Sequence, residues 1–282
     1  MKFNAKTRLN NCAVAAISAL LIIINYAAVA QTPHRVFTFQ AGDEFQKQIR
    51  LNSTCVIQRG KQQLQVNSSS VLSKLYKVTA VSDTAYEFTV TLQKMDDKIN
   101  SLGKELHFNS ENAIDTTSKI QKVLKYMMGR SSLVYVNKNG VIISAKDGNA
   151  AVAGDTLLAF AGLPEDPFIK GAHFGLIADF SSSKALKKGY TWRISSSAKK
   201  QQITTNFVID EISDAITIIK FKSAVKSEYL NSNSNGTYIL DNHSGLIIQR
   251  LVESISTGYQ LKDKVLYATT RKISLAEDCV KK

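Results

Sequence analysis

The sequence predicts a mainly β fold with a few helices, in the α+β class: an internally duplicated antiparallel sheet, curved or half-barrel-like, with helices covering one face. Three observations support this prediction. Apolar and polar residues alternate through several long segments, one hairpin pattern occurs twice, and only one segment has strong helical periodicity. Alternation with a period of two is typical of a sheet that buries one face and leaves the other in water.

The alternation is clearest between Tyr86 and Leu92. Apolar side chains at Tyr86, Phe88, Val90 and Leu92 fall on one face, and the residues between them are polar. A strand with this pattern is expected to lie on the core with one side only.

The same succession of patterns occurs in both halves of the chain. Each half has a glycine followed three residues later by an aromatic residue, then alternating strands that meet at a Ser-Asp turn, and finally a hairpin with a glycine in its turn. Because three separate signals keep their order, we interpret them as an internal duplication. The paired segments are Ala41–Phe45 with Lys187–Trp192, Lys77–Val90 with Val208–Ile219, and Leu133–Ser144 with Thr237–Gln249.

The N-terminus has the features of a secretory signal peptide. Three cations and no acidic residue precede an apolar stretch from Ala13 to Tyr26, and small residues follow at Ala28 and Ala30. This predicts cleavage after Ala30 and export to the periplasm or the extracellular space, with no membrane span left in the mature chain. A retained membrane anchor is the alternative, because the apolar stretch is nearly long enough to cross a bilayer.

The strongest helix prediction covers 115–129. Its apolar residues are spaced as one stripe, it begins with Asp and Thr as capping candidates, and it ends at Gly129. The corresponding part of the second half, Ser223–Asn235, is interpreted as a polar connection. The stripe consists of Ile120, Val123, Leu124, Met127 and Met128.

These patterns divide the chain into four parts. They are a signal peptide at 1–30, a first β-rich half with one amphipathic helix at 31–149, a helical apolar connection at 150–185, and a second β-rich half at 186–282. The connection has few charges and no alternation, so it is expected to form two short helices over the sheet.

The net charge of +13 is spread over the chain. The cations are not interleaved with aromatic residues, and export would separate the protein from nucleic acid, so no nucleic-acid partner is expected. Solvated strand faces are one explanation of the charge. Attraction to an anionic envelope surface is the other.

Two cysteines remain after the predicted cleavage, Cys55 and Cys279. A lone pair in an oxidising compartment is a disulfide candidate. Two buried free thiols are the alternative.

The sequence matches none of the common catalytic or metal-binding motifs. The four histidines have no zinc-ligand spacing, and the sequence has no nucleophile elbow, dinucleotide-binding motif or phosphate-binding loop. The segment Asn231–Gly236 imitates a calcium loop but lacks its carboxylates. The pair Asp96-Asp97 is expected to be exposed in a turn-like stretch. We therefore expect no catalytic residue, no metal, no cofactor and no enzymatic activity.

With these motifs, the chain resembles an uncharacterised family of exported β-rich proteins of Gram-negative bacteria. The shared features are the signal peptide, the early GDEF strand start, the helix before the N-G-V-I hairpin, and the later strand start Gly189-Tyr190-Thr191-Trp192. The last motif is usually Gly-Asp-x-Trp, so Tyr190 departs from it. The resemblance implies no known activity. More distantly, the predicted sheet looks like the half-barrel lipoprotein carriers of the periplasm, which is an analogy of architecture.

Two functions are consistent with these predictions. The first is a binding module that holds an apolar small molecule, a lipid or a lipoprotein in the hollow of the sheet. The second is a structural or interaction protein of the envelope that acts through its basic surface. For the first, the candidate ligand contacts lie in the segments that break the repeat, namely Met127, Met128, Phe160, Phe168 and Phe174. Ordinary core packing is the alternative explanation of these side chains.

Overall fold

The computed structural model describes residues 39–146, 148, 168, 170–171, 174–176, 187–198, 201–262 and 265–282. Within these ranges the chain forms twelve strands and one helix. The first six strands and the helix are β1 (Glu44–Arg59), β2 (Gln62–Val81), β3 (Ala85–Ser101), β4 (Lys104–Asn109), α1 (Lys119–Met127), β5 (Ser131–Asn137) and β6 (Ile142–Lys146). The last six strands are β7 (Thr191–Ala198), β8 (Gln201–Ile212), β9 (Ile216–Lys226), β10 (Leu230–Asp241), β11 (Ile247–Lys262) and β12 (Val265–Lys281).

All twelve strands belong to one antiparallel sheet that does not close. Its order is β6-β5-β3-β2-β1-β12-β11-β10-β9-β8-β7, with β4 paired to β3 beyond the end of β5. Each half is a meander, and the halves meet at the centre, where the first strand pairs with the last over the register Phe45↔Lys281 to Gln58↔Ala268. The mainly β fold with an unclosed antiparallel sheet is therefore confirmed.

The strands share one buried face, which we call the inner face. In β3 the predicted apolar set is buried, and the residues between its members are partly exposed. The other face, the outer face, carries charged and amide side chains. Most of the hydrophobic core lies on the inner face, as the alternation predicts.

The core has two main parts. An extended inner cluster runs across the sheet through residues such as Leu51, Leu275 and Phe221. An aromatic end cluster fills the inner face near the β2–β3 and β5–β6 turns, with Phe45 and Phe88 among its members. The opposite end, where β1 turns into β2, keeps its inner-face side chains partly exposed; we call it the exposed end.

The two halves share backbone geometry where their first strands begin. The amide of Gly42 donates to the carbonyl of Val78 at 2.8 Å, and the amide of Gly189 donates to the carbonyl of Ile209 at 2.8 Å. The φ angles of these glycines are 95° and 84°, a region that residues with a Cβ rarely adopt. The glycine of the repeated pattern therefore has the same structural role in both halves.

The two Ser-Asp turns also match. The hydroxyl of Ser82 accepts a hydrogen bond from the amide of Ala85 at 3.0 Å, and that of Ser213 accepts one from the amide of Ile216 at 3.1 Å. This shared geometry agrees with the predicted repeat. A duplication as its origin stays a prediction.

Helix α1 packs on the inner face of the first half. Leu124 is fully buried in the inner cluster, and the other members of the predicted apolar stripe are partly buried against it. The cap is Ser118, whose hydroxyl accepts from the amide of Gln121 at 3.4 Å, rather than the Asp or Thr residues before it. Gly129 has φ 71° after the helix, as expected for a residue at this position.

The prediction of a polar connection at Ser223–Asn235 is wrong. This segment contains the end of β9, a tight turn and the first half of β10. In the turn, the hydroxyl of Ser227 accepts from the amide of Leu230 at 3.0 Å. The serines of β10 point inward and the asparagines outward, so the segment alternates between two kinds of polar residue. Because this segment has no apolar period, its pattern does not indicate a strand.

The prediction for Asp96-Asp97 is also wrong. Both residues lie within β3, and Asp97 is 0% exposed on the inner face. Asp96 lies on the outer face, where it pairs with His107 at 3.1 Å.

Two predicted segments lie outside the described residues. They are the signal peptide at 1–30 and nearly all of the helical connection at 150–185, including Phe160. In the part of the chain that the structure describes, no helix is both long and apolar enough to cross a membrane.

Candidate functional site

A belt of hydroxyl side chains crosses the inner face. In the register of the sheet, Ser53 faces Ser68 on one side and Ile273 on the other, and the row continues across four more strands. All the hydroxyl residues of this row are buried. Alternation in segments such as NSSS and NSNSN places them inward. The members of the belt are Ser68, Ser53, Ser254, Ser234, Ser223 and Thr205.

Several belt hydroxyls bond to one another. Thr205 and Ser223 lie 2.8 Å apart, and Ser234 donates to Ser254 at 2.9 Å. These bonds offset part of the cost of burying the hydroxyls. The belt is thus a polar stripe between the apolar row of Leu51 and the exposed end.

Arg271 lies next to the belt, one row closer to the exposed end. Its neighbours in the register are Cys55 on β1 and Ser256 on β11. The side chain is only 8% exposed, and its Nε donates to the hydroxyl of Ser53 at 3.0 Å. Among the described residues, no carboxylate lies within ion-pair distance of this guanidinium. The hydrogen bond from Nε leaves both terminal nitrogens for other acceptors.

Burial shifts the pKa values of both Arg271 and Cys55. Desolvation lowers the pKa of Arg271, but a guanidinium remains protonated at neutral pH. Burial also raises the pKa of the Cys55 thiol, although Arg271 opposes this shift. The thiol is therefore neutral near pH 7, and Arg271 is a buried cation beside neutral groups.

A second buried charge cluster lies closer to the aromatic end. Glu277 contacts Lys47 at 2.9 Å and Arg250 at 2.5 Å, with all three side chains 3% exposed or less. Lys47 also donates to the carbonyl of Gly175 at 3.1 Å. Burial raises the pKa of the neighbouring Tyr238 to about 12, so its hydroxyl stays protonated. This cluster joins β1, β12 and β11, and its role is structural.

The third buried charge is Asp97, in the row that includes Leu51. The hydroxyl of Ser70 donates to its Oδ1 at 2.5 Å, and its Oδ2 has no hydrogen-bond partner among the described residues. Burial raises the pKa of this carboxyl to about 6, with a smaller contribution from Asp96 in the same direction. Three strand spacings, about 14 Å, separate β3 from β12. Asp97 is therefore too far away to neutralise Arg271.

Sequence reasoning missed these inner-face charges. The segment from Tyr267 to Cys279 alternates, and its buried apolar members Ile273 and Leu275 have the same parity as Arg271 and Glu277. That parity was the available signal, because residues two apart in a strand share a face.

The predicted ligand contacts do not form one site. Met127 and Met128 are partly buried against the inner cluster, whereas Phe168 and Phe174 belong to the aromatic end cluster. Phe174 is 0% exposed, and its ring centroid lies 4.7 Å from that of Phe88. Phe174 thus packs as the core alternative describes, and its role as a ligand contact stays a prediction.

The predicted disulfide is wrong. In the register of β1 and β12, Cys55 lies opposite Arg271 and Cys279 lies opposite Lys47, and both thiols are free. The cysteines therefore lie eight residues apart along neighbouring strands, about 26 Å. A disulfide needs Cα atoms within about 7 Å.

The outer face has a polar hollow of about 400 Å³ over the centre of the sheet. Side chains such as Asn52, Asn67 and Lys272 line it, and they are exposed to solvent. The described ranges contain no cluster of three or more potential metal ligands there or elsewhere. The inner face beside Arg271 is the stronger candidate site, because a charge is buried there.

Three comparisons place this geometry among known proteins. Residues 83–156 match the model of a family described as a family of unknown function (DUF6263), which covers β3 to β6. No curated protein sequence matches the chain significantly.

Among solved structures, lipovitellin, in a study of its lipid–protein interactions, is similar with a TM-score of 0.51 and 11% identity. The match covers 86% of this chain and 26% of that chain. An outer membrane channel from Pseudomonas putida F1 aligns over 89% of this chain and 100% of its own, with 6% identity and a TM-score of 0.26. The lipovitellin match shows a shared fold alone, and the channel match is too weak to support an argument.

Proposed function

We propose that the protein is a non-enzymatic, exported protein that binds an apolar or lipid-like molecule against the inner face of its curved sheet. The observation that carries this proposal is the form of the inner cluster. It extends across the sheet, and apolar side chains at its margins remain partly exposed. These margin residues include Leu64, Leu106, Met127, Met128 and Trp192.

The second half packs aromatic rings in a row, of which Trp192 is the partly exposed member and the others are buried. Trp192 stacks on Phe207 with centroids 4.9 Å apart, and Phe221 stacks on Tyr238 at 5.0 Å. Phe207 and Phe221 join the two pairs at 6.2 Å. Flat apolar surfaces of this kind suit acyl chains, because their burial is favourable without directional contacts.

The likeness to lipovitellin adds support, since that protein was studied for its interactions with lipid. Because fold alone does not assign function, the likeness is an analogy. The competing explanation is that the inner cluster is a closed core. The two explanations differ in whether an added apolar molecule reaches the inner face.

The single tryptophan provides a direct assay. Trp192 is partly buried on the inner face of β7, so a polyene fatty acid bound there should accept energy from its fluorescence. We expect saturable energy transfer in wild-type protein. Absence of transfer at any probe concentration would mean a closed core.

A matched pair of variants locates the site. Leu64→Glu places a charge at the partly exposed margin of the inner cluster, whereas Gln65→Glu places it one residue away on the outer face. We expect Leu64→Glu to weaken probe binding at least tenfold and Gln65→Glu to leave it unchanged. Equal effects would show that the probe binds elsewhere. Mass spectrometry of lipid extracted from protein purified from its own compartment would then identify the natural ligand.

Export and processing are part of the proposal. The signal-peptide pattern predicts a mature chain that begins at Gln31 in the periplasm or outside the cell. Top-down sequencing of the exported protein tests this start. A chain that retains Met1 would contradict it.

A basic outer surface supports the alternative function in the envelope. Lys220, Lys222 and Lys226 follow one another along the outer face of β9, and of these Lys220 is paired with Asp210 at 2.9 Å. Binding to phosphatidylglycerol vesicles that disappears at high salt, without energy transfer from Trp192, would favour this alternative.

A further inference from the structure

We propose that Arg271 binds the anionic head group, a carboxylate or a phosphate, of an amphiphile whose apolar tail lies on the inner face. This inference rests on the proposed function and specifies the class of ligand. Its basis is the buried guanidinium of Arg271, which donates one hydrogen bond to Ser53 through Nε and leaves its two terminal nitrogens available on the inner face.

The guanidinium of Arg271 is a buried charge without a charged partner among the described residues. A buried charge that lacks a partner costs several kcal/mol, and proteins normally pair it. The buried cations Lys47 and Arg250 follow this rule through Glu277. Arg271 is the exception, because only neutral groups surround it in the described part of the chain. An anion from outside the chain would supply the missing charge.

The shape and chemistry of the Arg271 side chain favour an oxyanion as its ligand. The two terminal nitrogens of a guanidinium form a planar fork that fits carboxylate and phosphate oxygens bidentately. Ser53 fixes the side chain through Nε, so the fork keeps its orientation. Ser256 is the register neighbour of Arg271, and its hydroxyl is a further donor for the same anion. A neutral head group would leave the guanidinium charge uncompensated.

The position of Arg271 in the sheet also suits the head group of an amphiphile. Arg271 lies between the partly exposed end of the inner face and its apolar rows, so a head group can stay near water while the tail is buried. Phe221 of the aromatic row lies on β9, about 14 Å across the sheet from β12 and level with Leu275, which is four residues or about 13 Å along β12 from Arg271; the two offsets give about 19 Å. A long acyl chain can span that distance and continue toward Trp192.

The test compares a fatty acid with its neutral analogue. Hexadecanoic acid and hexadecanol compete for the mature protein against the polyene probe, with Trp192 energy transfer as the readout. We expect the acid to bind at least tenfold more tightly than the alcohol. Arg271→Gln should remove this preference by weakening the acid alone, and Arg271→Lys should retain part of it.

Lys272→Gln is the matched control, because it removes the same charge one residue away on the outer face. It should keep the full preference for the acid. Inorganic phosphate alone, added as a third competitor, should not displace the probe. If phosphate displaces it as effectively as the acid does, Arg271 serves free anions and the amphiphile inference is wrong.

A second measurement does not depend on a variant that folds. Cys55 is the register neighbour of Arg271, whereas Cys279 is buried eight residues away. A bound acid should slow maleimide alkylation of Cys55 more than the bound alcohol does, and should not change that of Cys279. Equal protection by acid and alcohol, together with equal affinity, would overturn the inference while leaving apolar binding intact. If neither compound binds, the proposed function itself fails.

Discussion

Replacing Asp97 by asparagine should change the stability of the protein more favourably at neutral pH than in acid. Asp97 is 0% exposed, and burial raises the pKa of its carboxyl from 3.8 to about 6. The folded protein therefore binds a proton here more readily than the unfolded chain does. Wild-type stability falls as pH rises from about 4 to about 6 and stays lower above that range. Because asparagine carries no charge, the stability of the variant does not fall in this way as pH rises.

The size of the effect follows from the two pKa values. Each pKa unit corresponds to 1.36 kcal/mol, so the shift from 3.8 to about 6 gives about 3 kcal/mol as an upper value. The hydrogen bond from Ser70 survives, since the amide oxygen can also accept it. The amide NH2 of the variant would lack a partner at a cost of about 1–3 kcal/mol, but this cost is the same at every pH. The change with pH in the stability difference between variant and wild type therefore measures the effect of the Asp97 charge alone.

Urea unfolding followed by Trp192 fluorescence measures this difference. We expect the effect of Asp97→Asn to become more favourable by about 2.5 kcal/mol between pH 4 and pH 7.5, because part of the change occurs below pH 4. Asp96→Asn is the control, because it removes the neighbouring charge on the outer face. If the effect of Asp97→Asn is equal at both pH values, the buried carboxyl does not titrate as proposed and the reasoning is refuted.

Three further predictions follow from packing and register. Phe174→Ala and Phe88→Ala should each destabilise the protein by about 3–5 kcal/mol in urea unfolding, because both rings are fully buried in the aromatic end cluster. A small effect of Phe174→Ala would indicate that this side chain lines a cavity. Gly236→Ala should lower stability by about 1–3 kcal/mol, since a Cβ would overlap the carbonyl oxygen of Leu251 across the strand pair, and an unchanged melting temperature would contradict this. Both described cysteines should be alkylated in denaturant without reductant, and peptide mapping that finds them joined would show the register of β1 and β12 to be wrong.

Much of the fold could be predicted because the apolar residues alternate. The segment from Tyr86 to Leu92 and both glycine-containing hairpins form strands where the sequence placed them. Helix α1 was predictable for a similar reason, because its apolar stripe has helical spacing. In each case local spacing along the chain is enough to decide which side chains are buried.

The candidate site was harder to predict, because its residues are polar and buried. In β10 serines and asparagines alternate, so no hydrophobic period distinguishes the inner face from the outer one. Asp97 follows another aspartate, a pair that is more typical of a solvated turn. Polar residues of this kind are buried because their position in the strand turns them to the inner face, which packs against the rest of the core.

The sequence by itself determined the strands, the hairpins, the helix and the repeated order of patterns, because each depends on residues close together in the chain. The tertiary structure alone decided what depends on the pairing of β1 with β12, the first and last strands of the sheet. That pairing sets Cys55 opposite Arg271 and keeps it about 26 Å from Cys279. It also brings the guanidinium of Arg271 within hydrogen-bond distance of the Ser53 hydroxyl on β1. The physical reason is that the register between distant strands is fixed by the whole inner face at once, since a shift of one residue would turn every buried side chain outward.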